Sequence, residues 1–152
     1  MKRENLNYAR EISVSVDPGV VYLALTKEIG KWWAPKSDVI NKVGDIATFQ
    51  FPPTFWTMKA IQLIPDTLIE LECIEAYHID DSIPHSAREE WLGTKLVWNL
   101  STDASGTTIQ FVHEGLTPQL VCYDVCEAGW DHFFVKELYS FLEAKKVTKS
   151  KS

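Results

Sequence analysis

The stretch PQLVCYDVCEAGWDHFFVKELYSFLEA, residues 118–144, decides how the rest of the chain is read. Wound at 3.6 residues per turn, it gathers Tyr123, Cys126, Trp130, Phe133, Phe134, Leu138, Phe141 and Leu142 on one side, the stripe of a core-facing helix. The helix is expected to begin near Gln119 or Leu120, directly after Pro118. So broad an apolar stripe needs an equally broad partner. The upstream chain supplies it as at least six short segments of alternating polarity, with no second helix of comparable length.

The first of these runs from Ala9 to Val16 and sets Ile12, Val14 and Val16 on one face. Asp17-Pro18 then opens a short helix through Leu25, because proline is preset for the first helical position. A second short helical piece carries Trp32 and Trp33 and stops before Pro35. Ile46 to Phe51 alternates again, with Ala47, Phe49 and Phe51 together. Trp56 to Ile64 is apolar on both faces, so its register stays open, and the Pro65-Asp66 turn returns it through Ile69, Leu71 and Cys73. The segment from His78 to Glu90 is charged and reads as a solvated loop, a mobile one. Leu96, Trp98 and Leu100 face inward on the next strand. After the turn at Asp103 to Gly106, Ile109, Phe111 and His113 face inward on the last strand before the helix.

At 152 residues the chain is expected to form one domain, ordered from about residue 9 to 144, that buries roughly 70% of its unfolded surface without disulfide or metal. A net charge of −6 argues against a nucleic-acid partner, since phosphate binding needs clustered Lys and Arg. The basic residues Lys145, Lys146, Lys149 and Lys151 are read as a frayed tail. Three cysteines cannot all pair within the chain, and no apolar run resembles a signal peptide or a membrane span. A cytoplasmic location is expected, with no membrane partner.

The order strand, two short helices, antiparallel strands and long helix is an α+β arrangement: a curved antiparallel sheet of six or seven strands wrapped around the C-terminal helix. Lys31-Trp32-Trp33, Trp91-Leu-Gly-Thr94, Phe111-Val-His113-Glu-Gly115-Leu116 and Gly129-Trp130-Asp-His-Phe133-Phe134 carry a family resemblance. On these motifs the chain, from about Ala9 to Ala144, resembles the helix-grip (START-like, SRPBCC) superfamily. Within it, the chain is similar to homologues of the C-terminal domain of the heat-shock protein 90 ATPase activator. The resemblance implies a cavity between the sheet and the long helix. It also implies one of two settings: binding of a lipid or other hydrophobic molecule, or a chaperone-associated role in the stress response.

Pattern sets Phe49, Phe51, Met58, Leu71, Trp98, Phe111, His113, Trp130, Phe133 and Phe134 around that interior, with Tyr123 at its rim. Trp98 and Trp130 are expected to face each other, while Trp32 and Trp33 close one end. An empty void of ~300 Å³ would cost on the order of 7 kcal/mol at ~24 cal/mol per Å³, so ligand, water or these side chains must fill it. Binding of an apolar or aromatic small molecule is the first reading, with access near the loop from His78 to Glu90 or the segment from Pro35 to Lys42. A chaperone-associated interaction domain is the second, and a pocket enzyme of the cyclase or dehydratase type the third. No nucleophile or nucleotide motif supports an enzyme.

His113 reads either as a satisfied core histidine or as a group orienting a guest. Glu137 reads as an edge residue or as a carboxylate aimed inward. Cys122 and Cys126, one turn apart, could join His113 or His132 around a metal, but two cysteines on a helix more commonly pack. No metal or cofactor is expected. The partner is a hydrophobic small molecule or, on the resemblance, a chaperone, and the chain itself a monomer or weak homodimer.

Overall fold

The computed structural model describes residues 6–150, with side chains described as far as Lys145. Seven strands form one sheet: β1 (Tyr8–Val14), β2 (Lys36–Ser37), β3 (Ile46–Phe51), β4 (Thr54–Ile64), β5 (Leu68–Tyr77), β6 (Lys95–Asp103) and β7 (Gly106–Glu114). Their spatial order is β1-β7-β6-β5-β4-β3-β2, and every neighbouring pair is antiparallel. Two short helices, α1 (Pro18–Thr26) and α2 (Ile29–Trp32), follow β1. Pro18 occupies the start of α1, where its missing N–H costs nothing, and the Asp17 carbonyl accepts from Val20 and Val21. The two-residue β2 lies in a segment that alternation could not mark, being too short to show a period.

The inward faces agree with the alternation of β3, β5, β6 and β7: Phe49, Leu71, Trp98 and Phe111 are fully buried. In β4 the pairing with β5 shifts between Thr57 and Met58 and again between Ala60 and Gln62. Each shift moves the strand by one residue against its neighbour. Trp56, Met58 and Ala60 therefore face the core before the second irregularity, and Leu63 packs against it afterwards. This is why β4 looks apolar on both faces in the sequence.

The C-terminal helix is continuous but not uniform. It passes from α3 (Tyr123–Trp130) through a π-helical segment (Asp131–Leu138) into α4 (Tyr139–Ser150). Its buried residues are Cys126, Trp130, Phe134, Leu138 and Leu142, a strict spacing of four. An α-helix overshoots a full turn by about 40° for every four residues, so this row would rotate by about 160° away from the sheet. The wider π turns take up that drift and keep the row facing the strands. Phe133 and Phe141, expected within the stripe, stand beside it and are only half-buried.

Three expectations need correction. The helix begins at Tyr123 rather than near Gln119 or Leu120, because the backbone after Pro118 first makes tight turns, with Leu120 N–H bonding to Thr117 and Tyr123 N–H to Leu120. Trp98 and Trp130 do not meet. Trp98 stacks on its cross-strand neighbour Phe111 (4.9 Å, 13°), and Phe111 in turn lies edge-on to Trp130 (4.7 Å, 73°), so the β7 ring fills the space beneath the helix. Lys145 is not frayed: its ammonium reaches Glu28 at 3.4 Å and lies over the Phe141 ring. The side chains of Lys146 and Lys149, and Lys151 entirely, fall outside the described residues.

At the β1 edge, Asp131 accepts from the Tyr8 hydroxyl (2.7 Å) and Arg10 Nε (2.9 Å), while Arg10 Nη2 reaches Glu127 at 3.2 Å. These groups tie the helix to the sheet at its solvent margin. Such half-exposed ion pairs contribute on the order of 0–1 kcal/mol each. Among the described residues no helix is long and apolar enough to cross a membrane.

Candidate functional site

The aromatic interior divides into a packed part and an open part. Phe49, Met58, Leu71, Trp98, Phe111 and Phe134 are 0–1% exposed and fill the space between the sheet and the middle of the helix. Of the eleven residues expected around a ligand, Phe51, Trp130 and Phe133 line a cavity beside this packed part. It encloses about 310 Å³ and lies toward one end of the sheet, between the β3–β4 corner, the stretch following β5 and the first turns of the helix.

Three segments of chain assemble its walls. Phe51, Thr54 and Trp56 come from β3 and β4; His78, Ile79 and Asp80 follow β5; Val125, Cys126, Gly129, Trp130 and Phe133 descend from the helix. Trp33 and Trp91 complete the lining. Four of the indoles pack together: Trp33 stacks on Trp56 at 5.6 Å, Trp56 on Trp91 at 4.3 Å, and Trp33 meets Trp130 at 4.8 Å. Of the pair expected to close one end of the sheet, Trp33 forms a cavity wall. Trp32 lies outside it, stacked on Trp33 with its indole N–H donated to the Ala24 carbonyl.

His113 is a core residue. It is wholly buried, and its Nδ1 accepts from Trp130 Nε1 at 3.0 Å. An indole only donates, so the imidazole proton sits on Nε2 and is donated to Thr94 Oγ1 at 2.9 Å. The Thr94 hydroxyl passes its own proton to the Trp91 carbonyl at 2.7 Å. Each member of this relay is satisfied, and burial pushes the His113 pKa down to about 3. The imidazole therefore stays neutral and orients Trp130 and Trp91, two of the cavity's walls.

Tyr123 lies outside the cavity, with its hydroxyl 3.4 Å from Glu127 on the β1 side. Glu137 is at the surface, 3.7 Å from His132 five residues earlier, the separation that a π turn brings together. The segment from Pro35 to Lys42 contributes nothing to the lining, whereas the loop from His78 onward does.

That loop is anchored more firmly than its composition suggests. Ile83 and Ala87 are buried, and His78 N–H donates to the Arg88 carbonyl. The Thr54 hydroxyl donates to the Ile79 carbonyl at 3.1 Å and accepts from Ile79 N–H at 2.9 Å. Glu90, read as part of a solvated loop, instead accepts from the N–H groups of Val121 (3.0 Å) and Cys122 (2.9 Å) and caps the long helix from outside. Replacing Glu90 with alanine is expected to cost about 1–2 kcal/mol, as loss of an N-cap acceptor does. Urea unfolding checks this, and a change below about 0.3 kcal/mol would mean that the cap carries no weight.

All three cysteines are buried free thiols. Cys73 belongs to the core, and burial pushes its pKa up to about 12. Cys122 and Cys126 stand at the head of the helix with their sulfurs 3.2 Å apart, and Trp91 Nε1 donates to Cys126 Sγ at 3.2 Å. The hydrogen bond to Cys126, followed by burial, raises the Cys122 pKa well above the usual thiol range. The histidine that joins them is His78, not His113 or His132: a ring nitrogen of His78 and the two sulfurs all lie within 4.8 Å of one another. Sequence reasoning missed this grouping, because His78 sits in a polar loop 44 residues before Cys122 with no spacing to connect them.

The curved seven-stranded sheet gripping one long helix is a helix-grip fold, and solved structures share it. A solution structure of the Aha1 dimer from Colwellia psychrerythraea superposes with a TM-score of 0.72 over 90% of this chain and 96% of that one, at 24% identity. Protein MLL2253 from Mesorhizobium loti gives 0.74 over 91% and 97%, at 20% identity. DynU16, described as a putative protein of the dynemicin biosynthetic locus, gives 0.70 over 91% of this chain and 48% of its own, at 17% identity. At these identities the likeness defines the fold alone. No family model and no curated protein matches the sequence.

Proposed function

We propose that the protein binds an apolar, planar small molecule in the cavity at the helix end. The observation that carries this is the lining: six aromatic rings, those of Trp33, Phe51, Trp56, Trp91, Trp130 and Phe133, surround about 310 Å³. A space of that size, at the lower bound of ligand sites, suits one or two fused rings, with affinity drawn mainly from buried area. Thr54, His78 and Asp80 supply the few polar groups that would orient a guest.

Gly129 supports the same reading. It sits within the helix on the cavity wall, and a Cβ added there would meet nothing within 4 Å. A mid-helix glycine gives up about 1 kcal/mol relative to alanine, with no packing here to justify it, whereas a guest would use the room. Gly129→Ala is therefore expected to stabilise the free protein by about 0.5–1 kcal/mol and to weaken guest binding. Thermal unfolding of the free protein together with a ligand titration checks both parts.

The direct test is a thermal-shift screen of flavonoids, fatty acids, sterols and other aromatic compounds. A binder at about 100 times its dissociation constant adds about 2.7 kcal/mol and raises the midpoint by several degrees. If no compound shifts the midpoint, or if Gly129→Leu leaves every shift unchanged, the cavity is not a binding site. A second reading, an interaction domain that pairs with a chaperone or with itself, is favoured by the dimer seen for the Colwellia Aha1 structure. Sedimentation of the purified protein tests self-association.

A further inference from the structure

The geometry points to a second use of the cavity wall: we infer that His78, Cys122 and Cys126 form a three-ligand site for a thiophilic d10 cation of the Zn²⁺ type. Their donor atoms converge within 4.8 Å of one another, and all three residues are buried. A tetrahedral zinc with Zn–S of about 2.3 Å and Zn–N of about 2.0 Å sets neighbouring donors about 3.5–3.8 Å apart. The two sulfurs, at 3.2 Å, need to separate by roughly half an ångström to reach that spacing, within the reach of a small side-chain rotation.

The surroundings suit the ligated form. Trp91 Nε1 already donates to Cys126 Sγ, the kind of outer contact that holds a metal thiolate in place. Cys122 is the N-cap residue of α3 and Cys126 follows one turn later, so a single rigid helix end presents both sulfurs. His78 is only 8% exposed, and its Nδ1 has no hydrogen-bond partner. On binding, each thiol loses one proton to solvent, so two thiolates balance the dication and leave the site neutral. His78 and Cys126 line the cavity and Cys122 does not, so a metal held by the three would border the open space, with room there for a fourth ligand. That is the arrangement of a two-cysteine, one-histidine centre with a position left for water or a guest. This inference does not rest on the apolar-guest reading, since the ligand set stands whether or not an organic molecule occupies the cavity.

The test uses the full chain, reduced and stripped of metal by a chelator. One equivalent of Cd²⁺ is expected to produce a thiolate-to-metal charge-transfer absorption, and Co²⁺ the intense visible bands of a tetrahedral thiolate site. Zn²⁺ should raise the thermal midpoint and protect two of the three thiols from alkylation. Cys126→Ser and His78→Asn should each weaken Zn²⁺ binding by at least about a hundredfold, since loss of an outer-shell partner alone costs 10–100-fold. Cys73→Ser should leave it unchanged. Absence of a charge-transfer band at one equivalent in the unmodified protein overturns the inference whether or not the variants fold. So does a band retained in both Cys126→Ser and His78→Asn, or Co²⁺ spectra of an octahedral, sulfur-free site.

Discussion

Replacing Trp130 with alanine is expected to cost about 3–5 kcal/mol, the range for deleting a large buried aromatic. The reason lies in how many groups use this one ring. Trp130 is 2% exposed, lies edge-on to Phe111, packs against Trp33 and Trp91, and donates its indole N–H to His113. Removing it opens the helix end of the core and leaves His113 Nδ1 buried without a donor. Trp130→Phe removes the N–H while keeping a smaller aromatic ring in the site, so it loses the donor and only part of the packing. That variant is expected to lose about 1–3 kcal/mol, the cost of an orphaned buried acceptor. Urea unfolding measures both, and a loss below about 1 kcal/mol for Trp130→Ala would mean that the helix does not present this face to the sheet.

The second large effect is on acid stability. His113 is neutral in the fold with its pKa pushed down to about 3, while an unfolded chain returns it to about 6.5. Above pH 6.5 neither state binds the proton, and the group contributes no pH dependence. Between pH 6.5 and 3 the unfolded chain binds it and the fold does not, so stability falls as pH falls, by up to about 1.4 kcal/mol per pH unit. The whole interval amounts to at most about 5 kcal/mol, comparable with the net stability of a domain. His113→Gln keeps an acceptor for Trp130 and a donor for Thr94 but does not titrate. Its stability is expected to fall less steeply over the same interval, since the carboxylates titrate in both proteins and cancel in the difference. Parallel pH profiles for the two proteins would refute the account.

The two effects meet at one contact, which couples the cavity to the core. Trp130 and Trp91 line the open space on one side and are held from behind by His113 and Thr94. Residues expected to touch a guest, Phe111 and His113 among them, form the backing layer instead. The cavity itself lies further toward Trp33, Trp56 and His78.

Elements whose pattern repeats along the backbone are legible in the residue order. Alternation through Phe49, Leu71, Trp98 and Phe111 specifies which face of each strand is buried, and Asp17-Pro18 marks where α1 begins, because both follow from geometry internal to one segment. The apolar stripe from Cys126 to Leu142 likewise requires a broad sheet to cover it. What depends on one segment meeting another emerges only in the folded chain. The extra residue Ile61 in β4 sets where that strand exchanges its inward face, and the π segment sets Phe134 in the core and Phe133 at the cavity. Glu90 accepts from the N–H groups of Val121 and Cys122, 31 and 32 residues further along the chain, and His78 arrives beside Cys122 and Cys126 from the stretch after β5. No spacing encodes such meetings, because they are fixed by sheet twist, strand irregularities and the packing of rings from separate elements, each of which shifts the outcome by about the width of one side chain.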